Sequence, residues 1–491
     1  MKETNLSKLT TTSSAGAAAS RPWTRNSTAE SALSWLSSEP AMIALMLVSL
    51  GIYYVVPGIP SAIIGGLAFL ALTVLRPDLS LAMVPLAAPL FYRPRFIGNF
   101  VFSLAEFVIA AGVAAWFLRD SYTLLKLRKL PNVKSLLQNV GSQRWLLLAA
   151  LLGVLGLMWL LVPPSAYRKV AIYDFWRTIV IPLLFFGLML RWVRTERDIW
   201  RMVGAWMVAA ALVGREGVEQ FLFGEATTME GVQRATSVYP SATAFGIYLG
   251  RALALGIVLA IFLPREWRLW KWGLGVLSFV IGLGTLVSFA RGAWIGVIVS
   301  LVVIAAITRH KRLLQGIGVA MLLGLATVPF IRAERIISMF NFTARENTGL
   351  ARVEIWTSAL RILRDRPALG IGQDQFLYQD PSYGVPQGRF LTTSHPHNFI
   401  LDFWLRLGLP GLFWITAALV FFFWQSIRLW RRYAGTALGA LTLALIASMV
   451  DFAVHGLLDM AYFTMDLALT FWMTVALVVI MRRLPDVKRE T

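Results

Sequence analysis

The chain has 491 residues, 57% of them hydrophobic, with 46 Lys and Arg against 26 Asp and Glu and no cysteine. Soluble domains are about 45–50% apolar, so this chain, with a mean hydropathy of +0.66, is built mostly of membrane spans. The formal charge of +20 is scattered in short groups between apolar runs, which is not the continuous basic face of a nucleic-acid binder, and the missing cysteines exclude disulfides, thiolate chemistry and cysteine-based zinc sites.

In chain order, residues 1–40 are rich in Ser, Thr and Ala without an apolar signal segment, and read as a disordered cytoplasmic tail. Apolar runs of spanning length follow near 41–57, 59–75, 97–118, 144–163, 172–193, 199–222, 241–263, 270–290, 292–308, 314–332, 397–426, 435–456 and 460–481. The run at 79–92 is short for a span. These runs predict an all-α polytopic membrane protein of 12–14 transmembrane helices. Residues 41–332 form a bundle, 397–481 complete it, and 482–491 are a second cytoplasmic tail. The connections Arg119–Arg144, Arg191–Arg201, Arg265–Lys271, Arg309–Arg312, Arg428–Arg432 and Arg482–Arg489 are basic, which places them and both termini in the cytoplasm. Arg93 and Arg95 are the exceptions.

The opposite side then receives one long extracytoplasmic loop, 333–396, nearly balanced in charge. Loops of that length are usually functional. Within it, "ARVEIWTSALRILRDRPALGIG" places Ile355, Trp356, Ala359, Leu360 and Leu363 at helical spacing, so it predicts one amphipathic helix stopped by Pro367.

An arginine in the membrane costs about 2.5–3.5 kcal/mol and needs a partner, an interfacial position or a function. The expected topology places Arg177, Arg215, Arg234, Arg251, Arg291 and Arg406 at or near the outer ends of spans. Arg291, in "VSFARGAWIG", lies between two long apolar runs at a tight turn assigned to Gly292. Its planar fork suits a diphosphate; snorkelling or a carboxylate partner is the other reading. Asp402 and Arg406 are four apart and predict an ion pair on one helix face, and Asp451 and His455 repeat the spacing. Both pairs read as structural, with a transporter's proton relay as the alternative. His395 and His397, two apart without an HExxH pattern, are a weak metal motif. A neutral imidazole, ordinarily titrating at about 6.5, can instead accept a proton from a hydroxyl.

These pieces join in one resemblance. "HNFILDFWLRLGLPG" holds His397-Asn398, nine residues, Gly408, two residues and Gly411. It is similar to the H-[N/S/Q]-x9-G-x-x-G signature of the O-antigen ligase and polymerase superfamily. "FARGAW" (289–294) resembles that family's Arg-Gly turn, and Ala351–Phe376 resembles its loop pattern of Arg, Trp-centred helix, Asp-x-Pro and Gly-x-Gly. Gln233–Leu249 is a looser match, with Ser237, Val238 and Tyr239-Pro240-Ser241 where the family often shows Thr-Gly and Asn-Pro-Asn. The likeness covers about residues 230–415.

The resemblance implies a glycosyltransferase of the bacterial cytoplasmic membrane, working on its outer face without a nucleotide sugar, cofactor or required metal. The donor would be a glycan on undecaprenyl diphosphate, held among membrane lipids. The acceptor would be a hydroxyl of another glycan or of lipid A core, leaving ligase and polymerase both open. His397 would be the base, and Arg291 and Arg352 would hold the diphosphate, with Arg234 a third candidate. Asn398 would cap the helix after it, and Asp402 and Arg406 would support. The rival function is a transporter or flippase for lipid-linked glycans. Such folds show inverted repeats, and no convincing repeat is present.

Overall fold

The computed structural model describes residues 38–485 apart from 99, 128–166, 225, 230, 231, 328–347, 380, 386, 389, 390 and 393. Thirteen helices are labelled here: α1 Glu39–Val55, α2 Ile59–Leu75, α3 Leu104–Leu127, α4 Arg168–Trp192, α5 Glu196–Leu222, α6 Ala242–Phe262, α7 Arg268–Val287, α8 Arg291–Thr308, α9 Lys311–Thr327, α10 Thr348–Asp365, α11 Phe399–Arg432, α12 Ala437–Gly456 and α13 Met465–Met481. The sheet content among the described residues is three two-stranded hairpins. The protein is an all-α polytopic membrane protein. Six described helices are long and apolar enough to cross a membrane: α4, α6, α7 with the turn before it, α8, α11 and α12.

The expected tail over 1–40 and the run at 144–163 lie almost wholly or wholly outside the described residues, as does the end of 314–332. The other runs each meet a helix, with three differences. Strand Arg95–Ile97 pairs antiparallel with Phe100–Phe102, so the helix there begins only at Leu104. The short run at 79–92 folds back, its segment Pro77–Tyr92 bent 119° from α2. Finally, α11 is not one rod. Gly408 takes φ 65 and ψ −166, and Pro410 follows, so a short piece, Phe399–Leu407, is set at an angle to the rest. A proline removes a backbone donor and clashes with the preceding turn.

Two hydrophobic cores result. The larger is centred on α6 and α12, whose apolar windows are 72% and 83% buried inside the protein, packed with α7, α8, α11 and α13. A smaller one joins Ile355, Ala359, Ile362 and Leu363 of α10 to Ile371, Phe376 and Leu405. Here Leu360 is 52% exposed, and Ile362 occupies the buried stripe in its place. Helix α10 thus packs on the short piece of α11, whose other face, through Phe399, Phe403 and Leu407, belongs to the larger core.

Candidate functional site

The segment before α8 is held by hydrogen bonds rather than by glycine. Strand Val232–Arg234 leads into it, Ala235 N donates to Val287 O at 3.0 Å, and Arg234 Nε donates to Ser288 O at 3.0 Å. Ser288 Oγ donates to Thr285 O and accepts from Ala290 N. The left-handed residue of this turn is Phe289, at φ 48. Gly292, expected to make the turn, lies inside α8, and its requirement is space: a Cβ there would sit 2.5 Å from the His455 ring. Arg234 therefore grips the turn from which Arg291 projects.

Arg291 opens α8 and is half-buried, with no hydrogen bond or ion pair among the described residues. The other arginines expected near the outer ends are engaged. Arg177 pairs with Glu106 at 2.9 Å, Arg215 pairs with Glu219, and Arg234 holds the Ser288 carbonyl. Arg251 proves to lie near the middle of α6 rather than at its end, because the helix starts at the Ser241 cap. Its buried guanidinium donates to the carbonyls of Leu467 and Ala461 and to Thr470 Oγ1.

His397 is the third motif residue, and it too is left-handed, at φ 49. Non-glycine residues pay strain in that region, and such strain collects at functional sites. Its Nδ1 lies 2.9 Å from Oδ1 of Asp459, in the connection between α12 and α13. The ring donates Nδ1–H to the carboxylate, which leaves Nε2 to accept a proton. Arg352 Nη2, from α10, stands 3.5 Å from the other oxygen, Oδ2. His395 Nε2 is 3.7 Å from Oδ1, with its Nδ1 at 3.1 Å from Ser394 Oγ. Asp459 is buried; that burial opposes its charge, but the two imidazoles on its oxygens outweigh it and hold the carboxyl well below the usual carboxylate range. Trp356 of α10 donates to Pro396 O at 3.0 Å and fixes the loop between the histidines.

Asn398 is the N-cap of α11. Its Oδ1 accepts from Ile400 N and Leu401 N, and its Nδ2 donates to Leu457 O at 3.1 Å. Gly408 and Gly370 are explained by close backbone approach. A Cβ at Gly408 would meet Ala368 O at 2.3 Å, and one at Gly370 would meet Leu405 O at 2.2 Å. This contact lets Ile371 N donate to Leu405 O and Leu409 N to Ala368 O, knitting the chain after α10 to the break in α11.

Asp402 and Arg406 do pair, at 2.7 Å, but within a larger group. Arg406 also reaches Asp174 of α4 at 2.8 Å and Asp374 at 3.6 Å, and it lies over the Phe463 ring. Burial pushes the Asp374 carboxyl above its ordinary range, against the pull of Arg406. Asp451 and His455 do not form the same kind of pair: both are fully buried, and none of their side-chain polar atoms has a hydrogen-bond partner. Asp451 fills a notch made by Gly250 and Gly296.

Four separate stretches of sequence thus converge. Asp459 ties His397 to Arg352, while Gly292 packs α8, and with it Arg291, on His455 one turn before Asp459. Asp459, Asp174 and Asp374 carry no motif of their own. The signal for Asp459 is its place at the end of an apolar run on the same expected side as His397. Residues 276–416 match the O-antigen ligase family model. No curated protein matches the chain. The matched segment runs from α7 past the break in α11 and contains Arg291, Arg352, His397, Gly408 and Gly411. Together with the spans described above, the match supports a glycan-transfer role in polysaccharide biosynthesis for this membrane protein.

Proposed function

We propose that the protein transfers a glycan from undecaprenyl diphosphate to an acceptor hydroxyl, as an O-antigen ligase or a polysaccharide polymerase, at the outer face of the cytoplasmic membrane. The observation that carries this reading is the sharing of Asp459 by His397 and Arg352, with a half-buried Arg291 that has no described partner opening the helix whose Gly292 packs on His455. Arg291 and Arg352 bind the diphosphate through paired N–H donors. His397, held by Asp459, takes the acceptor proton on Nε2 as the hydroxyl oxygen attacks the anomeric carbon. The bond from that carbon to the diphosphate oxygen breaks, and the guanidiniums stabilise the departing charge. A single displacement inverts the carbon. This chemistry asks for no metal, because fixed cations supply the countercharge. Arg234, engaged with the turn, positions Arg291.

The orientation is supported by contacts at the other end of the helices. Arg432 donates to Arg482 O and Arg483 to Leu190 O, so the basic connections after α4, α11 and α13 lie together. We assign that end and both termini to the cytoplasm. On this reading 333–396 is the outer loop and 41–332 with 397–481 the bundle.

The test is transfer by purified, reconstituted protein given lipid-linked glycan and acceptor. His397→Ala should lower the rate about 10²–10⁴-fold, and Arg291→Ala about 10²–10³-fold, with both variants monodisperse. Near-wild-type transfer by either variant overturns the assignment.

A further inference from the structure

His395 is not used by the transfer chemistry, yet it faces the same carboxylate oxygen as His397. The nearest ligand atoms of His395, His397 and Asp459 all lie within 4.8 Å of one another. His397 Nδ1 lies 2.9 Å from Asp459 Oδ1, and His395 Nε2 lies 3.7 Å from the same oxygen. Metal–nitrogen and metal–oxygen bonds of about 2.0–2.2 Å at tetrahedral angles place donors roughly 3.4 Å apart. Small side-chain rotations therefore suffice to bring all three donors onto one ion.

The supporting contacts are those of a built ligand set. Ser394 Oγ holds the far nitrogen of His395, and Met460 N donates to Asp459 Oδ1 at 2.8 Å. Such outer contacts orient ligating imidazoles and carboxylates. Arg352 lies on Oδ2 and so leaves the Oδ1 side to the two rings. Two imidazoles and one carboxylate select zinc, copper, nickel or cobalt over magnesium or calcium, which prefer oxygen donors.

We propose that His395, His397 and Asp459 form a transition-metal site whose occupation switches His397 out of the transfer reaction. The ring of His397 uses Nδ1 as a proton donor to Asp459 when no metal is bound. Coordination through Nδ1 requires that nitrogen's lone pair, so the proton moves from Nδ1 to Nε2 and the ring stays neutral. Nε2 then carries a hydrogen and cannot accept one from a hydroxyl. Metal binding rests on the three side chains alone, whereas its effect on transfer rests on the function proposed above.

The two parts are read separately, on full-length protein in nanodiscs, purified through a tag without histidine. Binding is followed by titrating Co²⁺ and recording its visible d–d absorption. One equivalent per chain should bind, Zn²⁺ should displace it, and His395→Gln should abolish the signal while His310→Gln keeps it. A Co²⁺ signal that is absent, or unchanged in His395→Gln, overturns the site. In the transfer assay Zn²⁺ should inhibit and a chelator should restore the rate. His395→Gln, normalised to its own metal-free rate, should need at least tenfold more Zn²⁺ for half inhibition. Stoichiometric binding by wild type with undiminished transfer would overturn the switch and leave the site standing. If His397 proves dispensable for transfer, the Co²⁺ result still stands on its own.

Discussion

Arg406 and Arg291 face the same problem of a guanidinium in a membrane protein and meet it in opposite ways. Arg406 is 5% exposed and is met by Asp402, Asp174 and Asp374 from three different parts of the chain. Arg291 is half-buried at the first residue of α8 and meets no described carboxylate. A cation neutralised from within the chain has little charge left for a ligand, and its removal strands buried carboxylates. A cation without such partners costs stability in the free protein and gains its partner when an anion arrives. The difference separates an arginine neutralised from within the chain from one whose charge is left for the anion of the proposed function.

The comparison breaks most readily at Arg406. Replacing it with Met should destabilise the fold by about 3–5 kcal/mol, the cost of leaving buried charges unpaired. Thermal unfolding in detergent checks this, and an unshifted Tm would put Arg406 on the same footing as Arg291. Asp459→Asn should lower transfer about 10–100-fold, the usual effect of losing an orienting partner. Its amide can hold His397 in the wrong tautomer, so a substrate-independent loss of kcat with little change in KM is the expected signature. Gly408→Ala should lower stability by about 1–3 kcal/mol, because alanine at φ 65 is strained and its methyl meets the Ala368 carbonyl.

The smallest effect concerns acid. The Asp459 carboxyl is buried, which works against its charge, but its histidine contacts prevail and its folded value is lowered. A lowered value contributes stability above the unfolded carboxylate value of about 3.9 and loses it as pH falls through the folded one. The Tm difference between wild type and Asp459→Asn should therefore be constant from pH 7 to about 5 and shrink below about pH 4. A difference that widens in acid would contradict the lowered value.

Most of the helices could be read in advance because apolar runs of spanning length leave few alternatives in a bilayer. The errors lie where local geometry is set by tertiary contacts. Gly292 looked like the turn residue, yet the turn is made by Phe289 under the hold of Arg234 and Ser288, and the glycine clears room for His455. Leu360 and Ile362 exchanged places because burial on α10 is decided by the short piece of α11, which periodicity alone does not see. The break at Gly408 was visible as a motif but not as a kink, since Gly-x-Pro-Gly also occurs in continuous apolar runs. His397, Arg291 and Arg352 could be picked out by motif; Asp459, which gathers two of them, could not, because it lies 62 residues from His397 in sequence.

The piece Phe399–Leu407 is a party wall between two separately packed cores, with the bundle on one face and α10 on the other. His397 stands at the head of that wall, Arg352 in the smaller room and Arg291 in the larger. The span between the two guanidiniums is therefore fixed by neither core but by the angle of the wall, and that angle is set at Gly408. On the function proposed above, Gly408, eleven positions from His397, is the jaw adjustment for the two guanidiniums.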